Sequence, residues 1–297
     1  MPFEAPDLSA VPPKPEECIR ILFVGDVVGR GGRKVVKQWL PHLKQALSVD
    51  CAVVNVENAA GGYGVTPKIA EEIVRAGADV MTSGNHVWDQ KEVFDYFARQ
   101  PRLLRPANYP PGVAGRGMTV LEVASGCRVA VINLQGRVFM PLTDCPFRRC
   151  DDLLADLEGK AEVILIDFHA EATSEKMAFG WHVDGRVAAV VGTHTHVPTA
   201  DLRILPGGTA YVTDVGMTGS YDSVIGMKKE PSLQRFLTGL HARFEPATQF
   251  PRFSSILVDA DRRSGKTVQA FRLDGGEGDV GDAPVTLTLW PSRTGPA

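Results

Sequence analysis

Asp26, Glu57, Asn58, Asn85, His169, His194 and His196 are the residues whose types and positions could do chemistry together. All are good metal ligands, and each stands at or just past the end of a short apolar run that reads as a β-strand. The runs cover residues 21–24, 52–56, 80–81, 163–166 and 188–191. In a sheet-and-helix protein the carboxyl ends of strands open onto one crevice, so ligands distant in sequence meet there. Each segment alone has an ordinary reading as turn or cap chemistry. Their repetition from strand end to strand end is the signal.

His194 and His196 are the sharpest local feature. Gly192 and Thr193 argue against a helix there, and in extended backbone residues at i and i+2 project to the same side. Two imidazoles from one segment would then approach one metal cluster. His169 is flanked by Asp167 and Glu171, either of which could orient its ring. Glu57 could bridge two cations while the Asn58 amide oxygen takes a further position. Asn85-His86 sets a hard oxygen donor beside a titratable group. Around Asp26, the stretch Gly25-Asp26-Val27-Val28-Gly29-Arg30-Gly31-Gly32 lacks the spacing of a dinucleotide fingerprint, and its carboxylate would repel a pyrophosphate. It also lacks the Lys-Ser/Thr of a P-loop. Two divalent cations against the charges of Asp26 and Glu57 would leave roughly +2, suited to a phosphate and an activated hydroxide. Mixed nitrogen and oxygen donors favour iron, manganese, zinc or cobalt over magnesium or calcium. Cys145 and Cys150 lack the second pair or histidine that a zinc site needs. His42, His182 and His241 carry no such pattern.

The elements that would position these residues alternate between strand and helix, which points to a layered α/β architecture. Thr66-Pro67 opens a helix that Gly77 closes. Further helices are expected over 90–99 and 151–157, and a late β-hairpin pairs 254–258 with 268–273. Residues 101–117, rich in Pro and Gly, read as a small subdomain or a rim. Residues 1–17 hold five prolines and read as a flexible leader outside the fold. Residues 18–273 would form the domain and 274–297 a Gly/Asp-rich tail, with a strand-like run at 285–290.

Composition sets the class. With 297 residues, 44% hydrophobic and 23% charged, the chain can bury a sizeable core. A net charge of -3 provides no global basic field for nucleic acid. No apolar stretch approaches the ~20 residues of a membrane span, and the first residues lack the pattern of a secretory signal. Five scattered cysteines point to a reducing cytoplasm.

Taken together, Gly25-Asp26-Val27-Val28-Gly29, Asn55-Val56-Glu57-Asn58-Ala59-Ala60-Gly61 and Gly84-Asn85-His86-Val87-Trp88-Asp89 resemble the YmdB-like family. So do Asp167-Phe168-His169-Ala170-Glu171 with Ala172-Thr173-Ser174-Glu175-Lys176, and Gly192-Thr193-His194-Thr195-His196-Val197. The stretch from Ala200-Asp201 through Thr213-Asp214-Val215-Gly216-Met217-Thr218-Gly219 is similar to it as well. This family is a bacterial branch of the calcineurin-like metallophosphoesterases. The wider superfamily has Asp-x-His in its first motif, where Val28 stands here, and a Gly-Asp motif where this chain has Glu57. By resemblance Asn58 fills part of that gap, which belongs to the narrower branch.

The resemblance implies two facing sheets flanked by helices and two divalent or trivalent metal ions, iron or manganese foremost. Asp26, Glu57, Asn58 and His196 would hold the first. Glu57 would bridge to the second, completed by Asn85, His169 and His194. The cations would lie ~3.5–4 Å apart, and His86 would protonate the leaving alkoxide. The implied substrate is a 2′,3′-cyclic nucleotide opened at its 2′ ester to leave a 3′-monophosphate. The residues themselves support only a phosphate ester. Thr173, Ser174, Arg137 and the Tyr63 loop are candidates for shaping substrate choice. An RNA-related role and homo-oligomerisation are further expectations, the latter without an interface signature in the chain. Two other readings remain at this point: a metal-binding regulatory or RNA-associated protein with little turnover, and a phosphomonoesterase or protein phosphatase.

Overall fold

The computed structural model describes residues 8–276 and the backbone of Arg293–Thr294. Its first sheet is built on three parallel strands, β1 (Cys18–Val24), β2 (Cys51–Asn55) and β3 (Val80–Thr82). The second holds β4 (Met118–Glu122), β5 (Arg128–Gln135), β6 (Val163–His169), β7 (Ala189–Thr193), β8 (Arg203–Ile204) and β9 (Ala210–Val212). β10 (Gly219–Ser220), β11 (Pro251–Asp261) and β12 (Thr267–Gly276) return to the first sheet, giving the order β10-β11-β1-β2-β3 with β12 beyond β11. β13 (Arg293–Thr294) joins the second, which runs β13-β8-β9-β7-β6-β5-β4.

The inner faces meet in one apolar layer. Ile19, Ile21, Phe23, Val53 and Ile256 from the first sheet pack with Val129, Val131, Leu165, Val191 and Val212 from the second, all buried. Strands with both faces covered read as continuous apolar runs, which is why β1, β2 and β6 were legible. The outer face of the first sheet is covered by α1 (Gly29–Ala46) and α2 (Pro67–Arg75), through Val36, Leu40, Leu43 and Ile73 against Leu22, Val54 and Leu257. On the second, α4 (Pro146–Asp156) and α5 (Thr173–His182) pack Leu153 and Phe179 over Ile132 and Ile166. α3 (Val93–Phe97) and α6 (Lys229–Thr238) complete the helices among the described residues. The α/β expectation therefore resolves into helix, sheet, sheet, helix.

Several boundaries differ from the sequence reading. The helix expected over 90–99 contracts to α3, and that expected from 151 begins earlier, with Pro146 in its first turn. The glycines after Asp26 open α1 rather than a free turn. A Cβ on Gly32 would lie 2.1 Å from the Thr218 carbonyl oxygen, so glycine lets the helix start approach the strand beside it. Residues 101–117 form a strap and not a subdomain. Leu104 N donates to Met81 O (2.8 Å), Met81 N donates to Arg102 O (2.7 Å), and Ala107 N reaches Asn133 O (2.7 Å), tying the β3 edge to β5.

Within the stretch read as a leader, Val11 is buried, and Lys14 pairs with Asp50 at 2.8 Å. Arg20, on β1, donates to Pro12 O and forms a buried pair with Asp259 on β11 (2.7 Å). Residues 8–17 therefore lie against the domain, while 1–7 fall outside the described residues. Asp274–Gly276 end β12, and the run at 285–290 is outside the described residues. Among the described residues no helix is long and apolar enough to cross a membrane.

Candidate metal centre

Every sequence-predicted ligand lies at the carboxyl end of a strand. Asp26 follows β1, Glu57 and Asn58 follow β2, Asn85 and His86 follow β3, and His169 ends β6. Glu57 N is held by Asn55 Oδ1 at 3.0 Å, which fixes the turn that presents the carboxylate. His194 and His196 follow β7, and here the structure corrects the expectation. Both have left-handed backbone, with φ of 103° and 67°, so they do not share an extended segment or project to one side. His194 turns toward His169 and His196 toward Asn58.

Two groups of atoms result. In one, His169 Nε2 lies 2.7 Å from Glu57 Oε2, 3.2 Å from Asn85 Oδ1 and 3.1 Å from His194 Nδ1. Ligand atoms of Glu57, His169 and His194 all fall within 4.8 Å of one another. In the other, His196 Nε2 lies 3.2 Å from Asn58 Oδ1. Asp26 Oδ1 stands 3.9 Å from the His169 ring, and Asp26 Oδ2 accepts from His194 N at 3.3 Å.

Partners on the far side of each ring assign the tautomers. His169 Nδ1–H donates to Thr193 Oγ1 (2.9 Å), whose own hydroxyl donates to Asp167 Oδ1 (2.7 Å). His194 Nε2–H faces Glu171 Oε2 (3.1 Å), and His196 Nδ1–H donates to the Ile225 carbonyl (2.8 Å). Asn58 Nδ2 is spent on Gly62 O (2.9 Å), leaving Oδ1 inward. The atoms that converge are therefore lone pairs facing lone pairs. Asp26 Oδ1 and Glu57 Oε2 are buried with no hydrogen-bond partner. An unpaired buried carboxylate oxygen is costly, and a cation is the group that satisfies several acceptors at once. The residues present fit metal ions.

Titration agrees. Burial, reinforced by Asp214, Glu57 and Asp167, holds Asp26 well above the usual carboxylate range. Burial pushes Glu57 up to about 7. It keeps His169 far below the ordinary imidazole value and His194 down at about 2. The 2.7 Å approach of Glu57 to His169 looks like an ion pair, but a buried neutral His169 with Nδ1–H committed makes it a contact between two acceptors, or one sharing the Glu57 proton.

The supporting residues were only partly legible. Asp167 acts on His169 through Thr193, while Glu171 orients His194 instead. The turn carrying both histidines is clamped by Asp214, whose Oδ2 accepts from Thr195 N (3.1 Å), Thr195 Oγ1 (2.8 Å) and Lys176 Nζ (2.8 Å). Lys176 also donates to Thr193 O at 2.8 Å. At the rim, His86 Nδ1 meets Asp89 Oδ2 at 2.8 Å, and His86 N lies 3.3 Å from Glu57 Oε1. His86 thus stands beside the Glu57 carboxylate without joining the lone-pair cluster.

Residues 22–273 match the model of the family described as YmdB-like protein. The chain belongs to the YmdB-like family. It is 51% identical over 255 residues to a 2′,3′-cyclic-nucleotide 2′-phosphodiesterase from Bacillus subtilis (strain 168), covering 86% of this chain and 96% of that one. A crystal structure of a hypothetical protein from Thermus thermophilus superimposes with a TM-score of 0.82 at 43% identity, covering 88% of this chain and all of that one. A novel phosphatase from Mycoplasma pneumoniae gives 0.83 at 37% identity, covering 89% and 95%. The layered α/β architecture of this YmdB-like protein is the metallophosphoesterase fold, and that family implies divalent metal ions.

Proposed function

We propose that this YmdB-like chain is a metal-dependent phosphodiesterase that opens 2′,3′-cyclic nucleotides at the 2′ ester, leaving 3′-monophosphates. The observation that carries this reading is the convergence of acceptor atoms from both sheets, Asp26 Oδ1 and Glu57 Oε2 among them unpaired, beside a histidine outside their cluster. The 51% identity to a cyclic-nucleotide phosphodiesterase supports the substrate class.

Asp26, Glu57, Asn58 and His196 would hold one metal ion, and Asn85, His169 and His194 the other, with Glu57 shared. Bound there, the ions supply Lewis acidity to a phosphoryl group and to the water that attacks it. Nitrogen and oxygen donors without a thiolate support iron or manganese. The chain's own task on the opposite side of the phosphorus falls to His86. With Nδ1–H directed to Asp89 Oδ2, the proton on Nε2 is the one available to the leaving O2′. The fixed dyad orients that proton, and the negative Asp89 stabilises the imidazolium that donates it.

Residues 18–273 act as the catalytic domain, supported by the family match over 22–273. A cytoplasmic location is supported by five free cysteines. The test against a monoesterase is the ratio of bis-p-nitrophenyl phosphate to p-nitrophenyl phosphate hydrolysis, with manganese and with chelator. A metal-dependent preference for the diester is expected; preference for the monoester would overturn the diesterase reading.

A further inference from the structure

The role of His86 toward O2′, which rests on the reading above, constrains where the rest of the substrate lies. The leaving oxygen stays attached to the ribose, so the sugar lies on the His86 side of the phosphorus. The glycosidic nitrogen is three bonds from O2′, through C2′ and C1′. The nucleobase therefore begins beside whatever flanks His86.

What flanks His86 is Tyr63. The ring centroids are 5.1 Å apart with the planes at 73°, inside the roughly 4.5–7 Å over which aromatic rings attract. The turn that carries Tyr63 is held from two directions. Asn58 Nδ2 donates to Gly62 O (2.9 Å) and Ala60 N to Gly64 O (2.9 Å). Gln90 Nε2 donates to Tyr63 O (2.7 Å). Gly64, at φ 69°, passes so close to the His86 segment that a Cβ would lie 3.0 Å from the His86 carbonyl oxygen. Trp88 and Tyr109 pack against the core of the first sheet, but Tyr63 belongs to none of the apolar clusters among the described residues. It is a half-buried aromatic, fixed at the site without a packing role in the core.

We propose that Tyr63 is the platform on which the substrate's nucleobase stacks. Such a subsite tolerates different bases, because each presents a π-face, and it favours cyclic nucleotides over base-free cyclic phosphates. Phe139, at φ 59° and 90% exposed, is a second aromatic to weigh. It follows β5 in the second sheet, three residues beyond Gly136, whose N donates to His169 O (2.9 Å). That ties its segment to His169 rather than to His86.

The test is the ratio of kcat/KM for 2′,3′-cyclic AMP to that for glycerol 1,2-cyclic phosphate, in the wild type and in Tyr63→Ala, Tyr63→Phe and Phe139→Ala. Tyr63→Ala should lower the ratio about tenfold, chiefly through KM, which is within the worth of one base–aromatic stack. Tyr63→Phe should restore it, and Phe139→Ala should leave it near the wild-type value. An unchanged ratio in Tyr63→Ala would mean that Tyr63 only positions His86, and would overturn the proposal. A fall confined to Phe139→Ala would do the same. If the wild type cleaves neither substrate, the diesterase reading fails, and calorimetric binding of 3′-AMP, with glycerol 2-phosphate as control, decides the base subsite. About tenfold weaker 3′-AMP binding by Tyr63→Ala supports it; equal binding overturns it.

Discussion

A Cβ placed on Gly84 would lie 1.7 Å from Oε2 of Glu57 and 2.2 Å from the His169 ring. Glu57 from the first sheet and His169 from the second meet over this glycine, where no side chain fits without displacing a candidate ligand. Gly84→Ala is therefore expected to lose metal while keeping its secondary structure. Elemental analysis paired with circular dichroism checks this. Full metal content in a folded Gly84→Ala protein would show that Glu57 and His169 are not held there for ligation.

The grouping of the ligands makes a finer prediction. Asn85 and His194 share their group with His169, whereas Asn58 pairs with His196. Asn85→Ala and His194→Ala should each retain at most one metal per chain, and Asn58→Ala should deplete the other position. Two metals retained in both Asn85→Ala and His194→Ala would remove these residues from the ligand set.

His86 stands outside that set, so its removal should separate binding from chemistry. His86→Ala is expected to slow turnover about 10²–10⁴-fold, the usual worth of a positioned general acid, with metal content unchanged. Loss of metal from this variant would contradict the role.

Ligation by Glu57 would require its carboxyl to give up its proton. In the metal-free chain burial raises its carboxyl to about 7, so protonation competes with the cation below that pH. Apparent metal affinity should therefore fall as pH drops below about 7 and level off above it. Competition with a chelator whose own protonation is corrected for measures this. A flat profile from about pH 6 to about pH 8 would count against Glu57 as the shared ligand.

The candidate ligands were legible because each one ends an apolar run, and a strand buried on both faces shows itself as such a run. The geometry of His194 and His196 was not. Positive φ is rare for a non-glycine residue and leaves no mark in its type. The clamp that imposes it, Lys176 with Asp214, joins residues 38 apart that elsewhere would sit on a surface. Helix α1 was hidden for a related reason. Gly29, Gly31 and Gly32 lower helix propensity, and at Gly29 and Gly32 the chain passes close to its neighbours, so a packing requirement reads as a turn. The layering of two sheets could not be read from periodicity, since strand pairing between distant segments depends on contacts that no single run encodes.

The most direct test is hydrolysis of 2′,3′-cyclic AMP by the purified protein, with manganese and with chelator, resolving 2′-AMP from 3′-AMP. Metal-dependent formation of 3′-AMP is the predicted result, because His86 then serves O2′ as the leaving oxygen. Formation of 2′-AMP would contradict the assigned bond. No turnover with any metal, with bis-p-nitrophenyl phosphate also untouched, would contradict the catalytic reading itself.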